Sequence, residues 1–191
     1  REPTYDLWGA HAVGAVDRNG RPLALARTRG GGVTVAVVDT GVDASHPDIA
    51  GNVLPGYDFA NNDNDAVDDN GHGTHVAGTI AAVANNGRGI LGVAPEARIL
   101  PVKVLSASGG GSFEGVISGI IWAVDHGANV INMSLGGCCG YFEPALRVLE
   151  YAHENNVTVV VAAGNDNRDT GTMYDGYIFS GYNRPISVAA I

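Results

Sequence analysis

Three segments of the 191-residue chain place a residue able to do chemistry at the edge of an apolar stretch. The run Val33–Val38 ends on Asp39-Thr40-Gly41, and the run Val157–Ala163 ends on Gly164-Asn165. Between them, His72 opens the segment His72-Gly73-Thr74-His75-Val76-Ala77-Gly78. A buried aspartate beside a histidine fixes the imidazole tautomer and stabilises the imidazolium that forms when the ring takes a proton. An amide at a strand end can donate a hydrogen bond toward a developing oxyanion. Taken alone, Asp39 reads as readily as a turn aspartate. The His72 segment shifts the balance toward proton abstraction, with Asn165 as the stabiliser of negative charge.

These residues need elements to hold them. The runs Val33–Val38, Ala97–Leu105, Val130–Leu135, Val157–Ala163 and Ile186–Ile191 are apolar on both faces, which suits buried strands of a parallel sheet. Helices are predicted between them at His72–Val83, Ser112–His126 and Glu143–Asn155. The second opens on an N-cap serine and carries Val116, Ile117, Ile120, Ile121 and Val124. The third has Pro144 near its first position and Ala145, Leu146, Leu149 and Ala152 on one face. Alternating strands and helices predict one doubly wound α/β domain over 1–191, with function at the carboxyl ends of the strands.

Composition narrows the partners. Hydrophobic residues make up 45% and charged residues 16%, enough apolar surface for a core and against disorder. The 28 glycines follow no collagen-like period and read as turns and close approaches. A net charge of −9 argues against nucleic acid and anionic membrane as partners. No apolar run approaches the ~18 residues of a membrane span. The first residue is Arg1, so a processed chain or a piece of a longer one is expected. The adjacent Cys138-Cys139 can close a vicinal ring or remain free, and shows no zinc or redox spacing. The stretch Ala60–Asn70 holds four aspartates and four asparagines, a solvated turn or a set of oxygens suited to calcium.

The segments VAVVDTGVDASHPD, GHGTHVAGTIAA and VVVAAGN, in this order, resemble the aspartate, histidine and oxyanion-asparagine blocks of the subtilisin-like serine peptidases. Val102–Leu105 followed by Gly109-Gly110-Gly111-Ser112 resembles their substrate-binding strand, and Ser134-Leu135-Gly136-Gly137 the wall of their primary specificity pocket. The resemblance covers most of the chain from Val33 to Asn165. It implies a three-layer α/β fold with a mostly parallel sheet and helices on both faces, incomplete in this chain. It also implies roles. Asp39 orients His72, His72 is general base and then general acid, and Asn165 donates to the oxyanion. Gly109, Gly110 and Gly111 meet an extended polypeptide substrate, while Ser134, Leu135 and Gly136, with Ala163 and Gly164, complete the substrate-binding set.

Calcium is implied twice. A first site would use Asp48 and the loop Ala84–Ile90, with the Asn86 side chain and the carbonyls of Ala84, Arg88 and Ile90; Glu2 or Asp6 would add an N-terminal ligand. A second would use Asp58, Asp63 and Asp65. Secretion follows as an expectation from the same resemblance. One part of the pattern is absent. The family's nucleophile stands in a Gly-Thr-Ser-x-Ala-x-Pro block well after the asparagine, and no serine of this chain has that context. Gly171-Thr172-Met173 echoes it faintly, too close to Asn165. The expectation is that the chain is the first two-thirds of a catalytic domain, inactive alone, with its serine on a C-terminal segment or a second chain. The alternative is an inactive fragment or pseudoenzyme that only binds peptides. Two rivals fit fewer residues. Asp39-Thr40-Gly41 also resembles the signature of aspartic peptidases, and His72, His75 and Asp39 could hold zinc.

Overall fold

The computed structural model describes residues 8–137, 142–165 and 179–189. Glu2, Asp6, Cys138-Cys139 and Gly171–Met173 lie outside them. Six strands form one sheet: β1 (Thr34–Asp39), β2 (Tyr57–Asp58), β3 (Arg98–Lys103), β4 (Val130–Met133), β5 (Thr158–Ala162) and β6 (Ile186–Val188). Their order across the sheet is β2-β3-β1-β4-β5-β6, and every pair is parallel. The helices are α1 (Trp8–Ala12), α2 (His72–Ala81), α3 (Phe113–Asp125) and α4 (Glu143–Glu154). No helix among the described residues is long and apolar enough to cross a membrane.

β1 explains the layering. Successive side chains of a strand point to opposite faces. Val35 and Val37 join a core cluster with Ala77 and Ala81 of α2. Ala36 and Val38 join another with Val116 and Ile120 of α3 and Val148 and Leu149 of α4. Both faces are covered, which is why the run reads as continuously apolar. The result is the expected three-layer arrangement. β1 also sits where the chain changes direction across the sheet, flanked by β3 and β4, and parallel sheets present their ligand crevice at the carboxyl ends beside such a point.

The predicted elements need small corrections. Ser112 is the N-cap of α3, its Oγ accepting from Gly115 N at 3.0 Å. The buried stripe of that helix is Val116, Gly119, Ile120 and Ala123, whereas Ile121 is 40% exposed. Ile117 and Val124 pack against the edge of the core, and Gly119 and Ala123 let the helix approach the sheet. In α4, Val148 is buried with Ala145, Leu149 and Ala152, and Leu146 is half-buried. β2, two residues long, and α1 had no readable pattern.

Candidate active site

Asp39 is the last residue of β1 and is fully buried. Its Oδ1 accepts from Thr40 N at 2.7 Å and lies 2.7 Å from His72 Nδ1. Oδ2 is buried with no partner among the described residues. The His72 side chain is about half exposed, so the ring is anchored at one edge and open at the other. An acceptor at Nδ1 fixes the proton there in the neutral ring and leaves Nε2 as the basic nitrogen.

The start of α2 is held by side chains from outside the helix. Its N-cap, Gly71, has φ +102°, a conformation that glycine adopts freely, and contributes no side-chain oxygen. Asn70 Oδ1 accepts from His72 N at 3.2 Å, Thr40 Oγ1 from Gly73 N at 2.9 Å, and Asp68 Oδ2 from Thr74 N at 2.9 Å. The first-turn donors are thereby satisfied one by one. Thr40 follows Asp39 and Gly73 follows His72, so the Thr40–Gly73 bond clamps the two residues that carry the pair. A methyl group at Gly73 would collide with the carbonyl oxygen of Gly41.

Asp68 also accepts from Thr40 Oγ1 (2.8 Å), Thr74 Oγ1 (2.6 Å), Asn70 N and Gly71 N. Partial burial pushes its carboxyl up, but hydrogen bonds from the Thr74 hydroxyl and from the Gly71, Thr74 and Asn70 amides outweigh that and hold it at about 2. Beside it, the ammonium of Lys103, the last residue of β3, is buried. It donates to Thr40 O (2.7 Å), Leu105 O (2.9 Å) and Asp69 Oδ1 (2.6 Å). Sequence reasoning passed over Thr40, Asp68, Asp69 and Lys103. The available signals were two adjacent aspartates just before a histidine and a lysine inside an apolar run.

His72, Gly109, Gly110, Gly111, Ser134, Leu135 and Gly136 line a single cleft of about 420 Å³, together with Phe113 and Phe179. The glycine segment is shaped by its own bonds, Gly109 N to Ser106 O at 2.8 Å and Ser106 N to Gly110 O at 2.9 Å. The structure thus brings His72 and residues of both predicted substrate walls to one opening. Asn165 stands exposed beyond β5, preceded by half-buried Ala163 and Gly164, and these three are not among the residues that line the cleft.

A model of the subtilase family matches residues 30–191. The chain belongs to the subtilase family. Thermitase from Thermoactinomyces vulgaris is 46% identical over 169 residues, covering 88% of this chain and 58% of that protein. Subtilisin E from Bacillus subtilis (strain 168) is 45% identical over 164 residues, covering 85% of this chain and 42% of that protein. The crystal structure of a cold adapted subtilisin-like serine proteinase superposes with a TM-score of 0.69 at 42% identity, covering 80% of this chain and 52% of that one. The chain therefore spans about half the length of these relatives. Its fold is the subtilisin-like α/β fold.

In this subtilase the two aspartate loops differ. Asp48 is buried, its Oδ1 accepting from Asn86 Nδ2 at 2.6 Å and its Oδ2 from Ile90 N at 3.0 Å. The loop from Ala84 to Ile90 wraps a carboxylate whose described partners are uncharged. Oxygens of Asp48, Asn86 and the loop carbonyls are of the type a hard cation takes, and in this structure Asn86 presents its amide nitrogen to Asp48 while its oxygen accepts from Arg88 N. Asp58 is also buried, but its own loop fills it: Ala60 N (2.6 Å) and Asn61 N (2.9 Å) donate to Oδ1, and Asn61 Nδ2 (2.8 Å) to Oδ2. Asp63 and Asp65 are exposed. Among the described residues, no three His, Cys, Asp or Glu side chains gather to hold a metal; this covers Asp58, Asp63 and Asp65, and also His72, His75 and Asp39. A lone aspartate paired with a histidine likewise does not make the shared-proton carboxylate dyad of an aspartic peptidase.

Proposed function

We propose that the intact protein is a serine endopeptidase that cleaves polypeptides bound in extended form. The observation that carries this reading is the 2.7 Å contact between His72 Nδ1 and buried Asp39, at the edge of a cleft bedded by Gly109–Gly111. A serine hydroxyl presented to His72 Nε2 gives up its proton as its oxygen attacks the scissile carbonyl. Asp39 stabilises the resulting imidazolium, which then protonates the leaving amine. Water repeats the sequence to release the acyl group. The Asn165 amide donates to the oxyanion. Backbone groups of Gly109–Gly111 pair with the substrate as an added strand, and Ser134–Gly136 wall the pocket for the residue before the scissile bond.

The serine belongs, in this reading, to sequence beyond residue 191 or to a second chain. Support comes from the relatives, which extend well beyond the matched region. Calcium is assigned to Asp48 and Asn86 with the carbonyls of Ala84, Arg88 and Ile90, where it would neutralise the buried carboxylate and stiffen the loop. Secretion belongs to the same reading, since extracellular calcium fills even weak sites. The test is intact mass spectrometry of the native protein before and after a fluorophosphonate serine probe. A labelled species carrying residues 1–191, or a labelled chain co-purifying with it, is expected. Unlabelled protein that still binds peptides would replace the peptidase with a peptide-binding relic.

A further inference from the structure

A charge sealed from water is costly, and replacing a buried ion pair by apolar packing is often neutral or stabilising. Lys103 therefore needs a reason other than stability. Its side chain is 1% exposed, and each of its three ammonium protons has an acceptor. Two of those acceptors lie on distant segments that carry part of the chemistry, and the third lies two residues along the lysine's own segment. Thr40 O belongs to the turn that follows Asp39. Leu105 O belongs to the wall of the cleft. Asp69 Oδ1 belongs to the loop that delivers His72.

Two of these segments are already joined without the lysine. Val104 N and Leu105 N both donate to Asp39 O, at 2.9 and 3.1 Å. The loop 68–71 is tied to one side or the other by single neutral-donor bonds, Thr40 Oγ1 to Asp68 and Asn70 Nδ2 to Ala107 O. Lys103 alone among these groups reaches all three segments, at 2.6–2.9 Å. We propose that Lys103 is a positioning residue: its buried ammonium fixes His72 relative to Asp39 and to the cleft floor in which the scissile bond lies. The inference rests on the peptidase reading and adds to it a residue that never touches substrate.

The experiment compares Lys103→Met, which keeps the stem and loses the charge, with Lys103→Arg in the intact protein. The readouts are kcat and KM on a chromogenic peptide, the melting temperature, and the far-downfield proton resonance of His72 Nδ1–H. Loss of the ammonium is expected to lower kcat on the order of ten- to a hundredfold, the cost of misplacing a reacting group by a fraction of an ångström. KM is expected to change by less than about threefold, because the glycine bed keeps its own bonds. The His72 resonance should shift, and Lys103→Arg should retain most of kcat. A folded Lys103→Met with kcat within about twofold of wild type and an unmoved resonance overturns the proposal. Should that variant not fold, Asp69→Ala carries the test, since Asp69 is half exposed. It removes one of the ammonium's three anchors and is expected to lower kcat by about three- to tenfold at an unchanged melting temperature; wild-type kcat in that variant overturns the proposal equally. Wild-type protein that hydrolyses nothing refutes the peptidase reading instead, and the resonance still decides whether Lys103 places His72.

Discussion

At the carboxyl end of β1, Asp39 is fully buried and hydrogen-bonded to its neighbour Thr40 and to His72, and the Thr40 carbonyl accepts from the buried Lys103 ammonium. At the carboxyl end of β5, Asn165 is exposed. Position in the sheet accounts for the contrast. β1 pairs with a strand on each side and carries core clusters on both faces. β5 also pairs on both sides, with β4 and β6, but one of its faces is only half-buried or exposed and all three residues of β6 are exposed. Proton transfer tolerates little displacement, which in the proposed reaction suits a His72 segment held by short bonds to Asp39, Thr40, Asp68 and Asn70. A donor to an oxyanion needs to face the substrate, and an exposed amide can do so with fewer constraints. The two ends of one sheet thus carry different mixtures of structural and chemical duty.

Substitutions at the two ends should separate those duties. His72→Ala should have the largest effect, lowering kcat by about a millionfold, because a triad acts as a unit. Active-site titration guards against residual wild type in that assay, and a loss of only a hundredfold would remove His72 from the role of base. Asn165→Ala should cost about a hundred- to a thousandfold in kcat. Its melting temperature should not move, since the side chain is exposed. A clear drop in stability there would erase the contrast between the two ends.

Gly73→Ala probes the β1 end from the structural side. Its methyl group meets the Gly41 carbonyl, so a loss of about 1–3 kcal/mol is expected in denaturant unfolding. Activity should fall further than that loss of stability explains, because the same shift parts His72 from Asp39. The smallest effect is electrostatic. Asp68 titrates at about 2 in the folded protein against an ordinary 3.8, so the unfolded state binds the proton more tightly. Its contribution is complete above about pH 4 and is lost as pH falls toward 2. Asp68→Asn should flatten that part of the stability–pH curve by less than about 1 kcal/mol, given the partial exposure of the group. Urea midpoints across this range, unchanged in slope between wild type and variant, would detach Asp68 from the clamp.

Much of this was legible in the chain itself. β1 announces itself because a strand covered on both faces must be apolar at every position, and Asp39 interrupts that run at its end. Ser112 and Pro144 mark helix starts by local chemistry that tertiary contacts do not override. Of the expected α3 stripe, Val116, Ile117, Ile120 and Val124 pack in or against the core and Ile121 is exposed, while Gly119 and Ala123 escape notice because periodicity counts large apolar residues. Lys103 was passed over for a related reason. A lysine in an apolar run reads as a strand end, and nothing local shows that oxygens of the distant Thr40 and Asp69 converge on it beside that of Leu105. In sequence the Asp58 loop is the more acidic, with Asp63 and Asp65 close behind it, whereas Ala84–Ile90 carries no carboxylate. The folded backbone shows where each carboxylate finds its donors, Asp58 from its near neighbours Ala60 and Asn61 and Asp48 from the distant Asn86 and Ile90.

The all-parallel sheet has a consequence for how the molecule comes into being. Thr34 at the start of β1 is bonded to Asn129, 95 positions later, and Thr40 to Lys103, 63 positions later. On a ribosome, the Val35–Val38 run emerges long before either neighbouring strand exists to cover it. Pairings between such distant stretches put the chain among slow folders, and the waiting strand is adhesive meanwhile. The same contacts that hold Asp39 still in the finished protein make the journey to that state slow and hazardous.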